Sequence, residues 1–231
     1  MDVRIAAAVL VFVSPAFCQP AIEFSAKIGI PIADTFQTGS YQFLATGLHA
    51  GTSASRRYTA GAGLILRLPH GFGAEADVLY KRLGYDLTST NPAIPVVYEH
   101  TWTTANSWEF PLLGVYRPRR VLHLAPRLSA GVSFRAVSGE TTTGQCVPFT
   151  AAYSSLCPAA APTPLSPDGH LNARSSFGGT FGAGVEARLG PVRLKPEIRY
   201  TRWRADAGDT GSQFDLRSNP NQIDVLLGIG F

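Results

Sequence analysis

From residue 22 onward, apolar and polar residues alternate with a period of two, and the three-to-four-residue spacing of amphipathic helices is nearly absent. In "NQIDVLLGIGF", Ile223, Val225, Leu227, Ile229 and Phe231 share one face, opposite Gln222, Asp224, Leu226, Gly228 and Gly230. The segment "VRLKPEIRY" sets Val192, Leu194, Ile198 and Tyr200 against Arg193, Lys195, Glu197 and Arg199. Phe177, Phe181, Ala183, Val185 and Leu189 oppose Thr180, Glu186 and Arg188, and Tyr58, Leu64, Leu66 and Leu68 oppose Thr59, Gly61, Gly63 and Arg67. One face of each segment is apolar; the other carries charge and glycine.

The pattern predicts eight strands, at 22–32, 55–68, 72–84, 100–116, 121–137, 175–189, 192–204 and 222–231. "PHG" (69–71), "RPRR" (117–120) and "GP" (190–191) are tight turns, whereas 33–54, 85–99, 138–174 and 205–221 are long connections. Long and short connections therefore alternate strictly. That order predicts an all-β fold, an eight-stranded antiparallel up-and-down transmembrane β-barrel, with long loops extracellular and both termini periplasmic.

Alternation alone leaves a soluble, lipocalin-like barrel open, with its apolar face inside. Aromatic placement decides between the two. Phe72 and Tyr80 lie eight residues apart on one apolar face, as do Trp108 and Tyr116 on another. Eight residues climb roughly 20 Å at a tilt near 40°, close to the separation of two membrane interfaces. Tyr58, Phe134 and Tyr200 extend the outer girdle and Phe231 the inner one, so the apolar face is expected to meet lipid.

Three stretches carry a family resemblance: "GFGAEADVLYKRLGY" (71–85), "WEFPLLGVYRP" (108–118) and the terminal "DVLLGIGF". With them the chain resembles the small bacterial outer-membrane β-barrel domain family, the OmpA/OmpX-like eight-stranded barrels. The resemblance implies a monomer in the bacterial outer membrane. It also makes Asp224, Ile229 and Phe231 part of a signal read by the barrel assembly machinery, with Leu226 where glycine is common and Ile229 where an aromatic is common. No peptidoglycan-binding domain is expected, so the family's tethering role is not carried over.

The first eighteen residues read as a signal peptide, with Arg4, an apolar run Ile5–Val13 too short to span a bilayer, and cleavage after Ala16-Phe17-Cys18. Residues 19–231 then form the barrel domain. Export leaves Cys146 and Cys157, an even pair that suggests one disulfide, with two free thiols as the alternative. That bridge would stiffen the longest connection, 139–173, either against proteolysis or as a displayed binding knob.

Composition narrows the function. A net charge of +4 without a basic run gives no nucleic-acid footprint. "GFGAEA" and "GAGVEA" match a dinucleotide fingerprint, but strand rather than helix follows each. Seven acids (Glu23, Glu75, Asp77, Glu109, Glu186, Glu197, Asp224) and nine bases (Lys27, Arg67, Lys81, Arg127, Arg135, Arg188, Arg193, Lys195, Arg199) fall on the inward face. In so narrow a barrel they are expected to form an ion-pair network that fills the lumen. Pro111, Pro126 and Pro196 interrupt strands, where bulges are expected.

The five histidines show no metal-ligand spacing, and no cofactor or metal is expected. His100 near Ser107 is the one loose pair for a lipid-modifying enzyme. Arg56, Arg57, Arg174, Arg202 and Arg204 gather at the extracellular strand ends, where guanidinium groups suit lipopolysaccharide phosphates. The reading favoured is a non-enzymatic surface barrel whose loops bind something or protect the envelope, with a small pore as its rival.

Overall fold

The computed structural model describes residues 21–36, 39–43, 47–90, 97–118, 124–148, 163–164, 175–204 and 219–230. Eight of its strands close a barrel: β1 (Ala21–Pro31), β2 (Thr59–Arg67), β3 (Phe72–Thr90), β4 (Val97–Tyr116), β5 (Leu124–Pro148), β6 (Ser175–Leu189), β7 (Val192–Trp203) and β8 (Asn221–Gly230). Each pairs antiparallel with its sequence neighbour, and β8 returns to β1 with Ser25 opposite Gly230. Closure leaves neither end strand with an open edge.

The two faces sort as the alternation requires. Along β1, Ile22, Phe24, Ile28 and Ile30 point outward and are more than half exposed, while Glu23, Ser25 and Lys27 are buried inside. Glu75, Asp77, Lys81, Arg127, Lys195 and Arg199 are each at most 3% exposed, whereas Leu112, Val132, Phe177, Phe181 and Ile198 are about 60% exposed. A soluble barrel would reverse this, so the lipocalin-like alternative is excluded.

At one end the strands meet in tight turns. Pro69–Gly71 links β2 to β3 as one 3-10 turn, with His70 at φ 60° and Gly71 at φ 85°. Gly71 needs that left-handed backbone, and any Cβ there would run into the Arg117 carbonyl oxygen. Gly190, at φ 61°, turns β6 into β7.

At the other end β3, β4 and β5 overrun their expected limits, reaching Thr90, Val97 and Pro148. A hairpin, Gly39–Phe43 with Gly47–Ser53, lies within the connection after β1 and pairs onto the far end of β3. One wall of the barrel is thus much taller than the other.

The prolines do not produce bulges. Registers on either side of Pro111 and Pro196 are unshifted; each interrupts the ladder to one neighbour only, β3 and β6 respectively. Pro126 lies beyond the point where β5 starts pairing with β4 at Tyr116–Leu128. A strand residue directs its N–H to one neighbour, so a proline costs one ladder bond without moving the register. The register shift falls elsewhere, between Thr104 and Asn106 opposite Gly139, which has a φ of 63°.

Candidate functional site

The inward residues form tiers along the barrel axis. In the middle tier, Lys27 bridges Glu75 and Asp77, the latter at 2.7 Å. Arg199 contacts Asp77 at 2.9 Å, Glu197 at 2.8 Å and Glu75 at 3.3 Å. Arg127 joins Glu75 to Glu197, at 3.3 Å from the second. Three cations meet three carboxylates. Because β3 and β7 lie opposite each other, the pairs of Arg199 with Asp77 and Glu75 cross the full width of the bore.

The next tier toward the long connections is also balanced. Lys81 lies 2.9 Å from both Glu109 and Asp224, and Arg135 lies 3.3 Å from Glu109. Gln222 ties the tier together, accepting a bond from Trp203 Nε1 at 2.9 Å and donating to Asp224 at 2.7 Å. The Arg135 guanidinium stacks 3.9 Å over the Trp203 ring. Ser133, Thr180 and Thr201 continue the wall as a hydroxyl chain with spacings of 2.6 and 3.0 Å. Ile65, Leu79, Leu113 and Leu226, all buried, pack between the charges. A buried charge is tolerated only when paired and hydrogen-bonded, which each of these tiers provides.

Above them, at the long-connection end, Phe36, Leu83, Tyr85 and Ala105 form an apolar cluster with Leu87 and Val137 packed against it. The Phe36 ring meets Tyr85 edge-on at 5.2 Å. Phe36 comes from the segment after β1, so the first connection folds back over the bore. Neither this cap nor the Trp203 seat emerges from the sequence reading. The inward positions of β3 do carry the signal: glutamate, aspartate and lysine at 75, 77 and 81 give way to Leu83 and Tyr85 on the same face.

At the turn end, Arg67 pairs with Glu23 and, at 2.9 Å, with Glu186. Arg193 and Lys195 also reach Glu23, and Arg117 lies 3.8 Å from Glu186. A cavity of about 510 Å³ opens here, lined by Arg67, His70, Arg117 and Glu186 among others. Burial and the neighbouring Arg67 draw the pKa of Arg117 below its usual value. Arg188 differs from its expected place: it is exposed at the rim, with Nε donating to the Gly190 carbonyl at 3.3 Å.

On the outer surface, Tyr80 stacks between Tyr58 (6.3 Å) and Trp108 (5.1 Å), and its hydroxyl donates to Asn106 at 2.7 Å. Phe134 lies between Phe110 and Phe177, Phe72 stacks on Tyr116 at 5.0 Å, and Tyr200 donates to Asn221 at 2.7 Å. Phe231, Cys157, Arg174, His123 and His170 lie outside the described residues, as do the signal segment and the Cys146 side chain; the Cys146 backbone pairs opposite Glu99.

His100 and Ser107 are not brought together. They sit seven residues apart on β4, roughly 23 Å along an extended chain, and Ser107 is wholly buried in the lumen. His100 instead stacks on Trp102 at 4.2 Å, with Asp86 at 4.0 Å. The first glycine fingerprint runs from the Gly71 turn into extended β3 and the second lies within β6, and strand rather than helix follows the glycines of each. Among the described residues, no group of three or more His, Cys, Asp or Glu is placed to hold a metal ion.

A family model of the outer membrane protein beta-barrel domain matches residues 17–202. No curated protein matches. Among solved structures, the chain is similar to the outer membrane protein OprG from Pseudomonas aeruginosa, with 12% identity, 92% of this chain and 97% of that one covered, and a TM-score of 0.48. It is similar also to Neisserial surface protein A, at 12% identity, 90% and 95% coverage and a TM-score of 0.41. The attachment invasion locus protein Ail of Yersinia pestis, solved with the heparin analogue sucrose octasulfate, gives 11%, 90% and 97%, and 0.36.

Proposed function

The chain belongs to the outer membrane protein beta-barrel domain family of the bacterial outer membrane, and from that premise we propose that it is a sealed, non-enzymatic barrel whose extracellular loops bind a surface ligand or reinforce the envelope. The observation that carries this reading is the set of ion pairs crossing the bore, Arg199 of β7 on Asp77 of β3 foremost. A bore crossed by paired side chains at two levels, and covered by Phe36 and Tyr85 at a third, supports a lumen closed to water among the described residues.

The alternation of long connections with tight turns supports placing the long ones at the cell surface. Arg56, Arg202 and Arg204 are exposed at that end, and Arg57 reaches Asp34 at 3.6 Å while remaining largely open to solvent. This supports a role for them in contacting lipopolysaccharide phosphates. Reconstitution into planar bilayers tests the sealed reading: it requires no single-channel steps, and steady steps would replace it with the small-pore reading.

A further inference from the structure

The outward face of the barrel is recessed at the turn end, and register explains it. Three cross-strand rows run over β3, β4 and β5. The row nearest the turns is large: Phe72 opposite Tyr116 opposite Leu128. The next row is small: Ala74 opposite Gly114 opposite Ala130. The row beyond rises again with Leu112 opposite Val132, and Phe181 of β6 closes the side. The result is a groove of about 550 Å³ lined by Phe72, Tyr116, Leu128 and Phe181, with Gly114 and Ala130 beneath. Tyr116 forms its rim on one side and the rim of the 510 Å³ cavity on the other.

The ion pairs around that cavity are unbalanced. Arg67, Arg117, Arg193 and Lys195 meet only Glu23 and Glu186, a surplus of two positive charges among these paired residues, and of them Arg67, Arg117 and Glu186 line the cavity itself. The two tiers above it are neutral. Arg117 leaves the strand at the corner where cavity and groove meet, its Nη2 donating to the Phe72 carbonyl at 3.3 Å. A cationic vestibule that shares Tyr116 with an apolar groove on a membrane-facing wall matches one chemistry, an acidic head joined to a hydrocarbon chain.

We propose that this corner binds an anionic phospholipid, its phosphate at Arg117 and Arg67 and one acyl chain in the groove floored by Gly114 and Ala130. The surplus of cations selects an anionic over a zwitterionic head, and the groove selects a lipid over free phosphate. Gly114 is a usable probe because an added Cβ would meet only the Ala130 carbonyl oxygen, at an ordinary 3.6 Å.

The test is native mass spectrometry of the purified barrel in non-ionic detergent, titrated with phosphatidylglycerol or phosphatidylcholine, with inorganic phosphate as competitor. Wild type, Arg117→Gln, Gly114→Leu and Ala130→Leu are compared, each first checked for the cold-gel mobility of a folded barrel. Phosphatidylglycerol should be retained in preference to phosphatidylcholine. Loss of one charge-assisted contact at Arg117 should lower its retention about tenfold, and filling the groove from either strand should lower it comparably. Equal retention of the two lipids, unchanged retention in both groove variants, or full displacement by inorganic phosphate would each overturn the proposal.

Discussion

Glu75→Gln is the perturbation that probes the lumen most severely. Glu75 is 1% exposed and touches Lys27, Arg127 and Arg199. Glutamine keeps the volume but removes the charge, so three cations then face only Asp77 and Glu197. Breaking a buried pair from one side costs about 3–5 kcal/mol, because the abandoned charge stays desolvated. With a urea slope of about 2 kcal/mol per molar, the unfolding midpoint in lipid vesicles should fall by roughly 2 M. Tryptophan fluorescence can follow the transition, and cold-gel mobility can check it. Adding Lys27→Met restores the balance at two against two, so the double variant should recover much of the loss, with a coupling of about 2–3 kcal/mol. Arg188→Gln, at the exposed rim, should stay within about 0.5 kcal/mol of wild type. If Glu75→Gln moved the midpoint no more than Arg188→Gln, the lumen charges would be solvated individually and the filled-bore reasoning would fail.

Other perturbations separate the parts of the molecule. At Gly61, whose Cβ would strike the Val78 carbonyl oxygen and Leu79, valine should abolish the folded cold-gel form; at Gly179, where nothing lies within 4 Å, valine should be tolerated. Phe36→Ala should cost about 3–5 kcal/mol by opening the apolar cap, yet bilayer recordings should stay silent because the ion-paired tiers still cross the bore. Replacing Arg56, Arg57, Arg174, Arg202 and Arg204 together with glutamine should reduce co-purifying lipopolysaccharide, and an unchanged amount would exclude those residues as its contacts.

Period-two alternation gave the strand count and the inward residues because a barrel wall has only two faces, so parity alone assigns each side chain. Parity does not give height. Which lysine meets which carboxylate depends on the stagger between strands, and Lys81 reaching Asp224 across 143 residues is invisible until closure fixes that stagger. The tall wall was missed for a different reason. "YDLTST" (85–90) and "SGETTTGQ" (138–145), the stretches by which β3 and β5 overrun, are rich in threonine and β-prone, but their apolar alternation lapses. Trp203 reads as a girdle aromatic by type, while its parity with Arg199 and Thr201 places it inside under Arg135. The proline bulges were expected from propensity; a missing ladder bond on one side is the cheaper accommodation.

The most direct measurement is heat-modifiability of the protein in isolated outer-membrane fractions, run on SDS gels with and without boiling. A closed ladder with its charges inside and its apolar face in lipid has no edge for cold detergent to open. The unboiled protein should therefore migrate apart from the boiled form, in the outer-membrane fraction. A single mobility before and after boiling, with the protein recovered in soluble form, would contradict both the closed barrel and its orientation of faces.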